Sequence, residues 1–218
     1  MAVLKKQTVG ILRGTMGNTV YKWMNEKNIA VSRPSHYRMS HAPHEVEKRN
    51  RFSVNGKFAK AIMLSRLLYN VWKKEKAPAT TGWNKICKVN YKRCGVDRPT
   101  EKNIITPDGF PLTANKTAVL PDGIEIVLEP FETPKKEEQI IFIMIVSFYK
   151  PKIRKHKYFE LLVMEGCERD DLKLTFRFDD EEKRFARRYK NRTIFLAAVT
   201  IDKDGNILSH SETIGKDL

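Results

Sequence analysis

Residues 172–178 read Leu-Lys-Leu-Thr-Phe-Arg-Phe. That alternation predicts a strand with one face in a core and the other in water. Leu172, Leu174, Phe176 and Phe178 fall on one side, and Lys173, Thr175 and Arg177 on the other. Further β-rich runs cover residues 124–131, 139–149, 158–165, 193–201 and 207–213, and Asp204-Gly205 offers a hairpin turn between the last two. Six or seven short strands of this kind over residues 99–218 predict an antiparallel immunoglobulin- or fibronectin-like β-sandwich. The charged segment 179–191 reads as a helical turn or crossover at one end of it.

The first 98 residues follow a different period, so the fold class is α+β, with a domain boundary expected at residues 98/99. Thr19-Val-Tyr-Lys-Trp-Met24 and Ile29-Ala-Val-Ser-Arg33 flank a turn-like stretch at residues 25–28, which predicts a hairpin. Tyr21 and Trp23 share one of its faces, and Val20, Lys22 and Met24 the other. Gly10, Gly14 and Gly17 lack the Lys-Ser/Thr ending of a phosphate loop and are read as turn residues. A helix is expected over residues 43–74, opened by Pro43, with Phe58, Ala61, Ile62, Ser65, Leu68, Tyr69 and Trp72 on its packing face. Pro78 breaks it, and Thr80 or Thr81 caps a second helix. Trp83, Ile86, Cys87, Asn90, Tyr91 and Cys94 face inward on that helix, and Gly95 is its expected C-cap. The proline-rich stretch 97–115 reads as a linker or opening strand.

Charge divides the chain more sharply than hydropathy. Residues 1–100 hold 21 Lys and Arg against 5 Asp and Glu, whereas residues 101–218 hold 20 against 21. The whole excess of +15 therefore lies in the first half. Such a block points to a polyanion or to an acidic neighbour in an assembly, against the plain alternative of solubility. The candidate partner-binding or nucleic-acid-binding residues are Arg49, Arg51, Lys57, Lys60, Lys73, Lys74, Lys85, Lys88, Lys92 and Arg93. Aromatic residues set among them, Tyr69, Trp72, Trp83 and Tyr91, could stack on bases, although their period places them in the core first.

The sequence holds no GxSxG, HExxH or aspartate-rich metal loop, so no catalytic residue is assigned and no enzymatic activity is expected. Asp179, Asp180, Glu181 and Glu182 are contiguous and are followed by Lys183, Arg184, Arg187 and Arg188, the pattern of a salt-bridged surface. His36, His41 and His44 straddle Pro43 without a companion cysteine, and Cys87, Cys94 and Cys167 form no CxxC pair. No metal, cofactor or small-molecule substrate is expected. The N-terminus shows no signal-peptide core, and the most apolar run, 139–149, falls short of the ~20 residues of a membrane helix. The expectation is a protein of a reducing cytoplasm or of a particle assembled there, with no membrane partner.

Three segments carry a family resemblance: Gly10-Ile-Leu-Arg-Gly-Thr-Met-Gly-Asn-Thr-Val-Tyr-Lys-Trp23 with the later Arg33-Pro34, the helix opening Glu47-Lys-Arg-Asn-Arg-Phe52, and the closing Asp204-Gly-Asn-Ile-Leu-Ser-His-Ser-Glu-Thr-Ile-Gly215. They resemble the start and end of a domain-of-unknown-function family of Bacteroidota and of their phages and prophages. The chain departs from that pattern by carrying His210 in the segment where the family has Ser-Asn-Ser. The resemblance implies a structural virion component of the neck, tail or capsid. Its partners would be further copies of itself, other virion proteins and, as a further candidate, packaged DNA. The alternative is a sequence-independent nucleic-acid-binding protein that uses the basic half.

Overall fold

A computed structural model describes residues 2–3, 11–24, 26–33, 39–76, 81–134, 139–149, 159–189 and 191–218. Gly10, Asn25, Pro34, His36, Pro78, Thr80 and Tyr158 lie outside the described residues. The chain is α+β and divides into two compact units, Met1–Ala42 and Pro43–Leu218.

The first unit is a four-stranded antiparallel sheet of β1 (Ala2–Val3), β2 (Gly14–Met16), β3 (Thr19–Met24) and β4 (Lys27–Ser32), in the order β1-β4-β3-β2. Gly17, at φ 55°, turns the chain between β2 and β3, and Glu26, at φ 62°, stands in the turn of the expected β3–β4 hairpin. The Leu12 amide donates to Asn28 Oδ1 at 2.9 Å, which ties the segment before β2 to β4. Among residues 11–24, 26–33 and 39–42, only Asn28 and Ile29 are buried, while Ile11, Met16 and Met24 are exposed.

In the second unit three helices precede the strands: α1 (Pro43–Leu64), α2 (Arg66–Lys74) and α3 (Gly82–Asn90). The single helix expected over residues 43–74 is interrupted at Ser65. Ser65 takes extended backbone angles, and its Oγ accepts from the Leu68 amide at 3.1 Å, so it caps a new helix instead of continuing the old one. The expected packing face survives the break, because Phe58, Ala61, Ile62, Ser65, Leu68 and Trp72 are all buried. Thr81 caps α3 through its Oγ1. The expected C-cap role of Gly95 is not realised: Tyr91 closes the helix, and Gly95 instead permits close approach to the Arg98 carbonyl.

Two antiparallel sheets follow. One holds β5 (Ala114–Leu120), β6 (Gly123–Leu128), β9 (Glu168–Asp170) and β10 (Lys173–Arg177), in the order β5-β6-β10-β9. The other runs β12 (Ile207–His210), β11 (Asn191–Ile201), β7 (Gln139–Tyr149), β8 (Phe159–Glu165), with β13 (Ile214–Asp217) continuing the β12 edge along β11. α4 (Asp180–Arg188) links β10 to β11. Its capping box joins Asp179 and Glu182, so two of the four clustered carboxylates satisfy backbone amides.

The central strands β7 and β11 sort the unit into layers. Phe142, Met144, Val146, Ile194, Leu196 and Ala198 pack against Ile124, Ile126, Leu174 and Phe176 of the facing sheet. The residues between them in sequence, Ile143, Ile145, Phe195, Ala197 and Val199, pack instead against Phe58, Ile62, Leu68, Trp72 and Ile86 of the helices. The order is helices, five-stranded sheet, four-stranded sheet.

The division between compact units therefore falls at residue 42, not at the expected 98/99. The stretch 97–115 is no linker either: Pro99, Asn103, Ile105, Thr106, Pro107, Phe110 and Leu112 are buried. Its polar backbone is satisfied from both sides. Asn90 Oδ1 accepts from the Ile104 amide at 2.8 Å, Thr213 Oγ1 accepts from Ile105 and Thr106, and the Trp72 indole donates to the Ile105 carbonyl at 2.8 Å.

Arg98 extends this strap to the C-terminal strand. Its guanidinium stacks 3.9 Å from the Tyr149 ring centroid and donates to Asp217 at 3.2 and 3.3 Å and to Thr193 Oγ1 at 2.9 Å. Burial pushes the Asp217 carboxyl up, but hydrogen bonds from Arg98 and Thr193 and the Arg98 charge outweigh it and hold it below its ordinary 3.8. A depressed carboxyl stabilises the fold above its unfolded value and loses that contribution as pH falls through the folded value. Asp217→Asn should therefore flatten the acid limb of the stability–pH curve below about pH 4. Because the carboxylate is partly solvated, the effect should stay below about 1 kcal/mol. Urea melts at pH 3 and pH 7 measure it; an unchanged pH dependence in the variant would refute the pairing.

Candidate functional site

The three helices lie on one face of the five-stranded sheet, so the residues opposite their buried stripe point away from it. Residues 43–98 carry 14 Lys and Arg against 4 Asp and Glu. Arg98 is paired with Asp217 outside this stretch, and the other thirteen cations still outnumber the four carboxylates, so the helical layer presents a net positive face. The sheet of β5, β6, β9 and β10 differs: on its outer face Lys173 pairs with Glu125 at 2.8 Å, and Arg177 with Glu168 at 2.9 Å and Asp122 at 3.0 Å.

Each candidate cation has a definite place. Lys57 and Lys60 on α1, Lys73 and Lys74 on α2, Lys88 on α3, and Lys92 and Arg93 in the following turn are exposed. Arg49, Arg51 and Lys85 are half-buried. Lys85 Nζ donates to the Lys73 carbonyl at 3.2 Å and to that of Glu75, and so closes the C-terminus of α2. Arg51 turns its Nε into the interior, where that atom has no hydrogen-bond partner. The layer thus brings together eight of the ten at or near its surface and commits Lys85 and Arg51 inward.

The aromatic candidates separate in the same way. Trp72 is fully buried, while Tyr69, Trp83 and Tyr91 are half-buried. Sequence reasoning passed over Phe52, which is 53% exposed. Phase gave no signal for it, since at spacings of three and seven it shares a face with buried Asn55 and Ala59, and only its place ahead of the set that begins at Val54 leaves it open.

Thiol chemistry is suppressed. Burial pushes Cys87, Cys94 and Cys167 each up to about 11, so thiolates are scarce at neutral pH. His44 is exposed and lies 3.2 Å from Glu45; among the described residues no group of three metal-ligating side chains converges. No described helix is long and apolar enough to cross a membrane. A cleft of about 1030 Å³ opens between Phe110, Pro111, Phe131 and Pro134 on one side and Ser209 and His210 on the other. Burial holds His210 below its ordinary value, so the imidazole is neutral near pH 7.

Comparison with protein-family models, with curated proteins and with solved structures finds no match to this chain.

Proposed function

We propose that the protein is a non-enzymatic structural component of a phage particle and acts through contacts between subunits. The observation that carries this reading is apolar surface left in water on the N-terminal sheet, where Ile11, Met16 and Met24 are exposed. A small antiparallel sheet with such side chains on its surface is suited to being covered by another chain. A neighbouring subunit can supply that cover. The second unit serves as the rigid body that carries the arm, and its two facing sheets are read as an immunoglobulin-like sandwich with helices added to one face. The assignment to phages rests on the segments resembling the Bacteroidota family and is an analogy.

Light scattering on the full chain should give an oligomer, and residues 43–218 a monomer that keeps a single cooperative melt. A full chain that stays monomeric up to about 100 μM, together with its absence from purified particles and assembly intermediates, would defeat the reading. The cationic helical layer favours a second reading, sequence-independent binding of nucleic acid through phosphate contacts. With ~6 contacts, affinity should fall about 10³-fold between 50 and 200 mM salt.

A further inference from the structure

The outer surface between α1 and α3 carries an aromatic pair in which Trp83 packs against the helical core and Phe52 reaches into water. Phe52 and Trp83 meet edge to face, with centroids 6.4 Å apart and planes at 77°. The indole passes over Gly56, where an added Cβ would stand 3.7 Å from Trp83 Cζ2. An alanine there would rest against the ring in ordinary van der Waals contact. Asn55, the next residue, is tied to the Cys87 carbonyl at 2.8 Å, so the two helices are locked side by side beneath the pair. Phe52 still leaves more than half of its surface in water.

The setting of this pair is net cationic, with Glu45, which interacts with Lys48 and Arg49, as an acid on the same stretch of α1. On α1, Arg49, Phe52, Gly56 and Lys60 fall at spacings of three, four and four, which forms one stripe. On α3, Lys88 is exposed but stands five residues from Trp83, roughly 140° around the helix, so the cations beside the ring are those of α1. An exposed ring flanked by cations is the pairing of groups that binds single strands: bases stack on the ring, and phosphates meet the cations. A duplex hides its base faces and can use only the cations.

We propose that the α1–α3 surface binds single-stranded nucleic acid, with Phe52 as the stacking platform and Trp83 as its support. The inference rests on the nucleic-acid reading and narrows it to a strand type and a place.

The test compares full-length protein and its Phe52→Ala variant by fluorescence anisotropy, with dT12, rU12, a twelve-pair duplex and heparin as probes. Stacking predicts that Phe52→Ala weakens dT12 or rU12 binding about tenfold or more and leaves duplex and heparin within twofold. Phe52→Trp should retain binding, and whichever of dT12 and rU12 binds more tightly identifies the natural strand. Phe52 lies outside the buried set, so the thermal melt should stay within about 2 °C. Equal loss for all four probes, or no loss for any, would overturn the platform while leaving phosphate binding intact. Absence of binding to every probe at 50 mM salt would remove both readings.

Discussion

Residues 99–218 produced alone will not form a stable fold, whereas residues 43–218 will unfold in one cooperative transition. Removing the helices bares one whole face of the central strands: Ile143, Ile145, Phe195, Ala197 and Val199, each with no exposed surface in the intact unit. The three largest of these side chains alone lose about 1.5–3 kcal/mol apiece of burial. Their sum approaches the whole stability of an ordinary domain, about 5–15 kcal/mol. The strap loses its partners as well, because Ile104 loses Asn90 and the Ile105 carbonyl loses the Trp72 indole. The expected result is an aggregating fragment that binds hydrophobic dye, beside a 43–218 chain with a single urea transition. Two separable transitions in residues 43–218, or a monomeric, sharply melting 99–218, would show the helices to be an independent domain.

That prediction marks where the sequence could be read and where it could not. Alternation revealed β10, because one of its faces meets water, and Lys173 and Arg177 do face solvent there. β7 and β11 are buried on both sides, so Ile140–Val146 and Ile194–Val199 within them are unbroken apolar runs instead of alternation. The lengths of those runs were readable, but the second layer covering them was the hidden consequence. β9 and β13 have three and four residues, and Glu168–Asp170 is wholly exposed, which leaves no hydrophobic pattern to detect. The strap at 97–115 was misread for a physical reason. Prolines and Asp108-Gly109 signal turns, and its burial depends on Asn90 and Thr213 accepting from its amides, from positions outside the segment. In the candidate site, charge and helical phase located the cationic layer. Whether a lysine faces water or reaches a carbonyl, as Lys85 does, depends on where a neighbouring helix ends.

Asn90→Ala should destabilise the second unit by about 3–5 kcal/mol, more than any substitution of an exposed lysine in the helical layer. Asn90 is fully buried, and its amide sits between α3 and the strap. Its Oδ1 accepts from the Ile104 amide at 2.8 Å and from Asn103 Nδ2 at 3.0 Å, and its Nδ2 donates to the Ile104 carbonyl at 3.0 Å. Truncation leaves these buried groups unsatisfied, each costing about 1–3 kcal/mol. Asn90→Leu keeps the volume but not the bonds, so it should be as harmful as alanine; that equality separates lost hydrogen bonds from a cavity. Urea titration with an unchanged m-value provides the measure. Leucine restoring stability to within about 1 kcal/mol of the parent would refute the account. The network also sets the neighbouring surface, since Thr100 Oγ1 donates to the Arg93 carbonyl at 2.6 Å and Thr100 N donates to Asn103 Oδ1 at 2.9 Å. Losing Asn90 should therefore loosen the turn that carries Lys92 and Arg93 and weaken phosphate binding below the unfolding midpoint. Lys92→Ala weakens the same binding without moving that midpoint, which separates a loosened scaffold from a deleted charge.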